Sequence, residues 1–135
     1  MQAIKLITRS LRLLRVVDAN EAPEAEDAET ALEALNQLMV RWEADGVALG
    51  WSELTDVSQE MTVPFESIRA ITYNLASELR LEYGIAIDGK MEQVANQSYK
   101  VLLRDVLAAN PLSLSVSMRG GMWDIYTDTF GPRRY

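Results

Sequence analysis

Residues 23–46, PEAEDAETALEALNQLMVRWEADG, decide the fold. Pro23 brings a helix-compatible φ to a first-turn position, and Glu24, Glu26 and Asp27 put negative charge at the positive end of a helix dipole. Ala28, Ala31, Leu32, Leu35, Leu38, Met39 and Trp42 then recur at three- and four-residue steps, one apolar stripe on a helix of about 22 residues. Gly46 offers the left-handed conformation that closes a helix. Such a stripe is stable in water only when covered, so further helices are required, with Leu35, Met39 and Trp42 in the shared core.

Toward the C-terminus, residues 47–62 sustain neither the helical nor the strand period. They read as a long loop, with room for a short β-hairpin, that presents Leu49, Trp51 and Leu54. Loops of about 16 residues in small domains are uncommon unless they serve a purpose. Trp51 reads either as a lid over the end of the bundle or as an interface anchor. Pro64 opens a third helix over 64–82, with Ile68, Ile71, Leu75, Leu79 and Tyr83 along its stripe and Gly84 at its end; Ile71 and Leu75 join the core. Asp88 caps a fourth helix over 88–109, with Met91, Val94, Ala95, Ser98, Leu102 and Val106 inward, and Asn110-Pro111 stops it. Asn36 and Asn74 lie beside the second and third stripes. They either bond backbone or water at the bundle surface or form a buried pair that fixes register.

Beyond Pro111 the pattern changes. Leu112, Leu114, Val116 and Met118 alternate with polar residues, Gly120-Gly121 follow, and Trp123 to Phe130 alternate again before a basic end. Alternation is the strand period, and the subunit holds no evident partner strand. The reading is therefore all-α: a four-helix bundle over residues 1–110 and an extended docking arm over 111–135, with Trp123, Ile125, Tyr126 and Phe130 as its anchors.

The N-terminus is organised by charge. Ile4, Ile7, Leu11 and Leu14 mark a first helix over 2–16, and Lys5, Arg9, Arg12 and Arg15 fall on an adjacent face. Residues 1–15 carry no acid, whereas residues 18–60 hold twelve acids against Arg41 alone. The basic face is open to three readings: a transit peptide or membrane-surface helix, a solvated flank of a core stripe, or a surface apposed to an acidic neighbour. Opposite charges on this helix and on the acidic spacer suit head-to-tail pairing between subunits.

Composition removes much chemistry. The chain has 135 residues, a net charge of −7, and neither cysteine nor histidine, which leaves no disulfides and none of the usual transition-metal ligands or triad bases. No run approaches the roughly 20 apolar residues of a bilayer span, and a soluble intracellular protein with no membrane partner is expected. Gly120-Gly121 precede no Lys-Ser/Thr pair, so no phosphate cradle is indicated. Acid pairs such as Glu24/Asp27 and Glu78/Glu82 lie on charged helix faces. No enzyme activity, cofactor or metal is expected, and so acidic a chain is not built to coat duplex DNA.

The order of motifs carries a resemblance. Ser10 to Val16, read as S-L-R-L-L-x-V, is followed by an acidic spacer with Pro23 and then by Asp27 to Trp42 as D-A-x-x-A-L-x-x-L-N-x-L-M-x-x-W. Val63-Pro64 and then AITYNLASELRLEYG over 70–84 complete the series. In this order the residues from 4 to 108 resemble the head-to-tail connector proteins of tailed bacteriophages, also called tail accessory or packaged-DNA-stabilisation proteins, the short-tailed phages above all. Relatives usually have glycine where this chain has Arg15, and Ala-Pro where it has Arg80-Leu81, so the third helix is expected to run on unbroken. The resemblance implies a virion protein at the head-tail junction. Such a protein forms an adaptor ring of twelve copies that binds the portal ring after packaging, seals the head and docks the nozzle or tail hub, while DNA passes through its lumen without specific binding. The alternative is a small helical regulatory module that binds nucleic acid through its basic first helix.

Overall fold

Apolar stripes at helical spacing dictate helices wherever the sequence carries them. The computed structural model describes residues 1–86 and 88–109. In chain order it has α1 (Ala3–Leu13), α2 (Ala25–Ala44), α3 (Ile68–Glu82) and α4 (Gly89–Ala109), with a 3-10 turn, Phe65–Ser67, leading into α3. Among the described residues there is no sheet, only one isolated antiparallel bridge between Gln2 and Glu60. The described residues are all-α, and α1, α2 and α3 pack pairwise on one another.

The stripe of α2 is buried along its whole length: Ala28, Ala31, Leu32, Leu35, Leu38, Met39 and Trp42. It meets Leu6, Ile7 and Leu11 of α1 and Ile71, Leu75 and Leu79 of α3, all fully buried. Each large aliphatic side chain withdrawn from water in this way contributes about 1.5 to 3 kcal/mol before conformational entropy is charged against it. Ile4 sits at the margin of the α1 stripe, half-buried, and Ala3, Leu6 and Ser10 complete the buried face instead. Ser10 lies where α1 crosses α3. Its Oγ is 3.1 Å from the carbonyl oxygens of both Leu6 and Thr72, so one hydroxyl proton serves two acceptors across two helices.

α4 joins through side chains. Met91, Ala95 and Leu102 are buried, and the Tyr99 ring lies 5.0 Å from that of Trp42, tilted by 53°. Asn74 Nδ2 donates to the carbonyls of Ala70 at 2.7 Å and Ala95 at 3.1 Å, tying α3 to α4. Ser77 Oγ donates to Glu92 Oε1 at 2.6 Å, and Arg80 Nε lies 3.3 Å from the same oxygen, outside hydrogen-bonding angle. Val94, Ser98 and Val106, expected inward, are half-buried at the margin of this face. Contacts divide the chain into Met1–Leu102 and Leu103–Tyr135; of the second unit only residues 103–109, the last turns of α4, are described.

Three helices end alike. After α2, Gly46 (φ +98°) donates to Glu43 O and Val47 to Trp42 O; after α3, Gly84 (φ +63°) donates to Leu81 O and Ile85 to Arg80 O. These paired bonds satisfy carbonyls that the last turn leaves open. After α1 the same closure occurs on a residue with a side chain: Arg15 (φ +60°) donates to Arg12 O and Val16 to Leu11 O. The helix therefore stops at Leu13, not near residue 16, and Arg15 holds a conformation that suits glycine. At the other end of α2, Glu24 is the extended cap and Ala25 the first helical residue, so Pro23 precedes the helix and does not lie in its first turn. α3 runs unbroken through Arg80-Leu81 to Glu82. Asp88 does cap α4, its Oδ1 accepting the Lys90 amide at 3.0 Å.

The segment between α2 and α3 forms no hairpin. It bonds instead to the start of α1, where Ala3 N–H donates to Gln59 O at 3.0 Å and Ile4 N–H to Val57 O at 2.8 Å. Met61 N–H donates to Met1 O, and the terminal amine pairs with Glu60 at 2.7 Å. A helix leaves its first amides without partners, and here a distant loop supplies them.

Candidate functional site

The charged residues of α1 and α2 form two exposed surfaces of opposite sign. Lys5, Arg9, Arg12 and Arg15 are all exposed on one side of α1 and its closing turn. Among the described residues none of them pairs with a carboxylate; Arg12 Nη2 instead donates to the Glu21 carbonyl at 3.3 Å. Beside this row runs an open groove of about 510 Å³. It is lined by Ile4, Lys5, Thr8 and Arg12 of α1 and by the segment from Asn20 to Pro23.

The opposite charge lies on the start of α2. Glu24, Glu26, Glu29 and Glu33 are exposed, whereas Asp27 turns inward to accept the Tyr83 hydroxyl at 2.8 Å. Burial, and after it this bond to Asp27, pushes the Tyr83 phenol well above its ordinary value. Further along, Arg41 Nη2 meets Glu78 Oε1 at 2.7 Å, and that bond and charge raise the guanidinium further. This pair joins α2 to α3 and is already satisfied.

The loop over residues 47–62 differs from its expected role. Leu49 and Leu54 are buried, 8% and 5% exposed, with Val47 and Met61 beside them in the core, so neither leucine is offered to a partner. The reason is Asn36, whose side-chain amide holds the Leu54 backbone and draws the loop onto α2. Asn36 and Asn74 thus bond backbone, each on its own helix pair, and do not pair with each other. Trp51 is half-buried along α2 next to exposed Val40, and its indole N–H meets no acceptor among the described residues. It lies against the C-terminal half of α2, near Arg41, Glu43 and Ala44.

Leu35, Met39, Trp42, Ile71 and Leu75 all lie in the interior. Trp123, Ile125, Tyr126 and Phe130 lie outside the described residues. No group of three or more acidic side chains among the described residues is arranged to hold a metal ion, and no described helix is long and apolar enough to cross a membrane. Sequence reasoning missed two features: the capping of α1 by Val57 and Gln59, and the tilted contact of the Trp42 and Tyr99 rings. Tyr99 follows Ala95 by four residues, a spacing that could have placed it on the inner face.

No curated protein matches this chain. The family description of the P22 tail accessory factor does match, over residues 6–130, from within α1 to the Phe130 of the C-terminal segment. With so much of the sequence accounted for, the chain belongs to the P22 tail accessory factor family, and is a structural component of a phage virion.

Proposed function

We propose that the protein is the subunit of a head-to-tail connector ring. Twelve copies, matching the portal, assemble beneath it once the genome is packaged, retain the DNA and present the docking surface for the nozzle or tail hub. Family membership over residues 6–130 carries this reading. The fold supports it in kind: a small rigid helical core bears one exposed cationic face and one exposed acidic face, which suits assembly better than catalysis. Attachment to the portal falls to Trp123, Ile125, Tyr126 and Phe130, whose alternation has the period of an added strand. DNA passes the ring's lumen without a specific grip, as the net charge of −7 favours.

Heads filled in the absence of this protein provide the test. They should lose DNA and accept no tail, and adding purified protein should restore both retention and infectivity. Heads that hold DNA and join tails equally well without it would exclude the connector role. The exposed cations of α1 also keep the alternative of a nucleic-acid-binding module in view, which predicts salt-dependent binding of duplex DNA by the isolated chain.

A further inference from the structure

The exposed cations of α1 and the exposed carboxylates of α2 form matching rows. Lys5, Arg9 and Arg12 are separated by four residues and then three; read backwards along α2, Glu33, Glu29 and Glu26 are separated by four and then three. With 3.6 residues per turn, each row falls within an arc of about 60° on its helix, and at 1.5 Å per residue the successive gaps are about 6 Å and about 4.5 Å in both. Among the described residues, none of these three cations lies within 4.0 Å of a carboxylate, and none of these three carboxylates within 4.0 Å of a cation. Arg12 reaches only a backbone carbonyl, and Glu33 accepts only from Gln37 at 3.4 Å.

The rows do not meet within one chain. We propose that they meet between copies: the cationic face of α1 packs antiparallel on the acidic face of α2 of a second copy, with Lys5 opposite Glu33, Arg9 opposite Glu29 and Arg12 opposite Glu26. This rests on the connector reading and specifies the contact between its subunits. The two rows are different surfaces, so the contact is heterologous: each copy gives one row to each neighbour, and repetition closes a ring when the rotation allows. Antiparallel helices also align their dipoles favourably. Exposed ion pairs are individually weak, and the groove lined by Ile4 and Thr8 beside Lys5 and Arg12 adds apolar contact that charge alone does not provide. A nucleic acid is the poorer occupant, because Glu21 lines the groove and the chain as a whole is acidic.

The test uses three variants of the full chain: Arg9→Glu with Arg12→Glu, Glu26→Arg with Glu29→Arg, and all four together. Assembly on purified portal rings is read by electron microscopy, helicity by circular dichroism, and nucleic-acid binding with fluorescent duplex DNA. Each charge-reversed pair should lose the added ring at unchanged helicity, and the fourfold variant should regain it. Raised salt should loosen the unaltered ring. Pairs that assemble like the unaltered protein, or a folded fourfold variant that stays dispersed, would overturn the interface and leave the connector reading standing. Reversal at Arg9 and Arg12 that removes DNA binding but not assembly would overturn it in favour of a nucleic-acid face. Unaltered protein that forms no ring on the portal would remove the connector reading, and this interface with it.

Discussion

Asn36 grips Leu54 with both ends of its amide: Nδ2 donates to the Leu54 carbonyl at 2.8 Å, and Oδ1 accepts the Leu54 amide at 3.0 Å. One side chain thereby orders the loop whose far end, Val57 and Gln59, caps α1. Asn36→Ala leaves two half-buried backbone groups without partners, and a loss of about 1 to 3 kcal/mol is expected in chemical denaturation. The effect should travel along the loop. Hydrogen exchange at the Ala3 and Ile4 amides should accelerate in the variant; unchanged protection there would show that the cap stands without the clamp.

Arg15 performs with a side chain what Gly46 and Gly84 perform without one. Left-handed backbone costs an ordinary residue about 1 to 2 kcal/mol, so Arg15→Gly should stabilise the fold by roughly 1 kcal/mol, and Gly46→Ala should destabilise it by a similar amount. Nothing stands within 4 Å of a Cβ placed on Gly46, so the second effect is conformational and not steric. Thermal melts of the two variants that moved in the same direction would contradict this account of the helix ends.

Trp42 and Tyr99 connect the three-helix core to α4. Trp42→Ala should cost about 3 to 5 kcal/mol, as truncation of a buried aromatic does. A double-mutant cycle with Tyr99→Ala should return a coupling of about 0.5 to 1.5 kcal/mol. Strict additivity would mean that the rings are neighbours without being partners.

Tyr83 makes stability depend on alkaline pH. Its phenol titrates higher in the folded state than in the unfolded chain, where the ordinary value is near 10. The neutral hydroxyl's contribution is therefore complete below that value and is lost as pH rises toward the folded one. Tyr83→Phe should lower stability at neutral pH by about 1 to 2 kcal/mol through loss of the bond to Asp27. It should also decline less steeply above pH 10 than the unaltered chain. Parallel alkaline profiles would detach Tyr83 from that dependence.

The helices were legible because their signals are local. The α2 stripe lies where its spacing put it, and Gly46, Gly84 and Asp88 mark boundaries by their own backbone chemistry. The loop was not legible, because its order comes from partners far along the chain. Leu49 and Leu54 look like an exposed apolar pair in a polar segment until Asn36, 18 residues before Leu54, turns the segment inward. The end of α1 misled for the opposite reason: the left-handed turn falls on Arg15, a residue with no preference for it, and only the glycine usual at this place in relatives points to it. The charged surfaces were visible as clusters, but the matching of Lys5, Arg9 and Arg12 with Glu33, Glu29 and Glu26 required knowing that none of them is in an ion pair among the described residues.

The connector reading is tested most directly by imaging purified portal rings mixed with this protein. Electron microscopy should show a second layer on one face of each portal, sharing its rotational symmetry and built of as many copies as the portal has subunits. Omitting residues 120–135 should abolish the layer while leaving the thermal melt nearly unchanged. Portal rings that remain bare at saturating protein, or a truncated chain that still forms the layer, would contradict the account: the first rejects the connector role, and the second removes Trp123, Ile125, Tyr126 and Phe130 from docking.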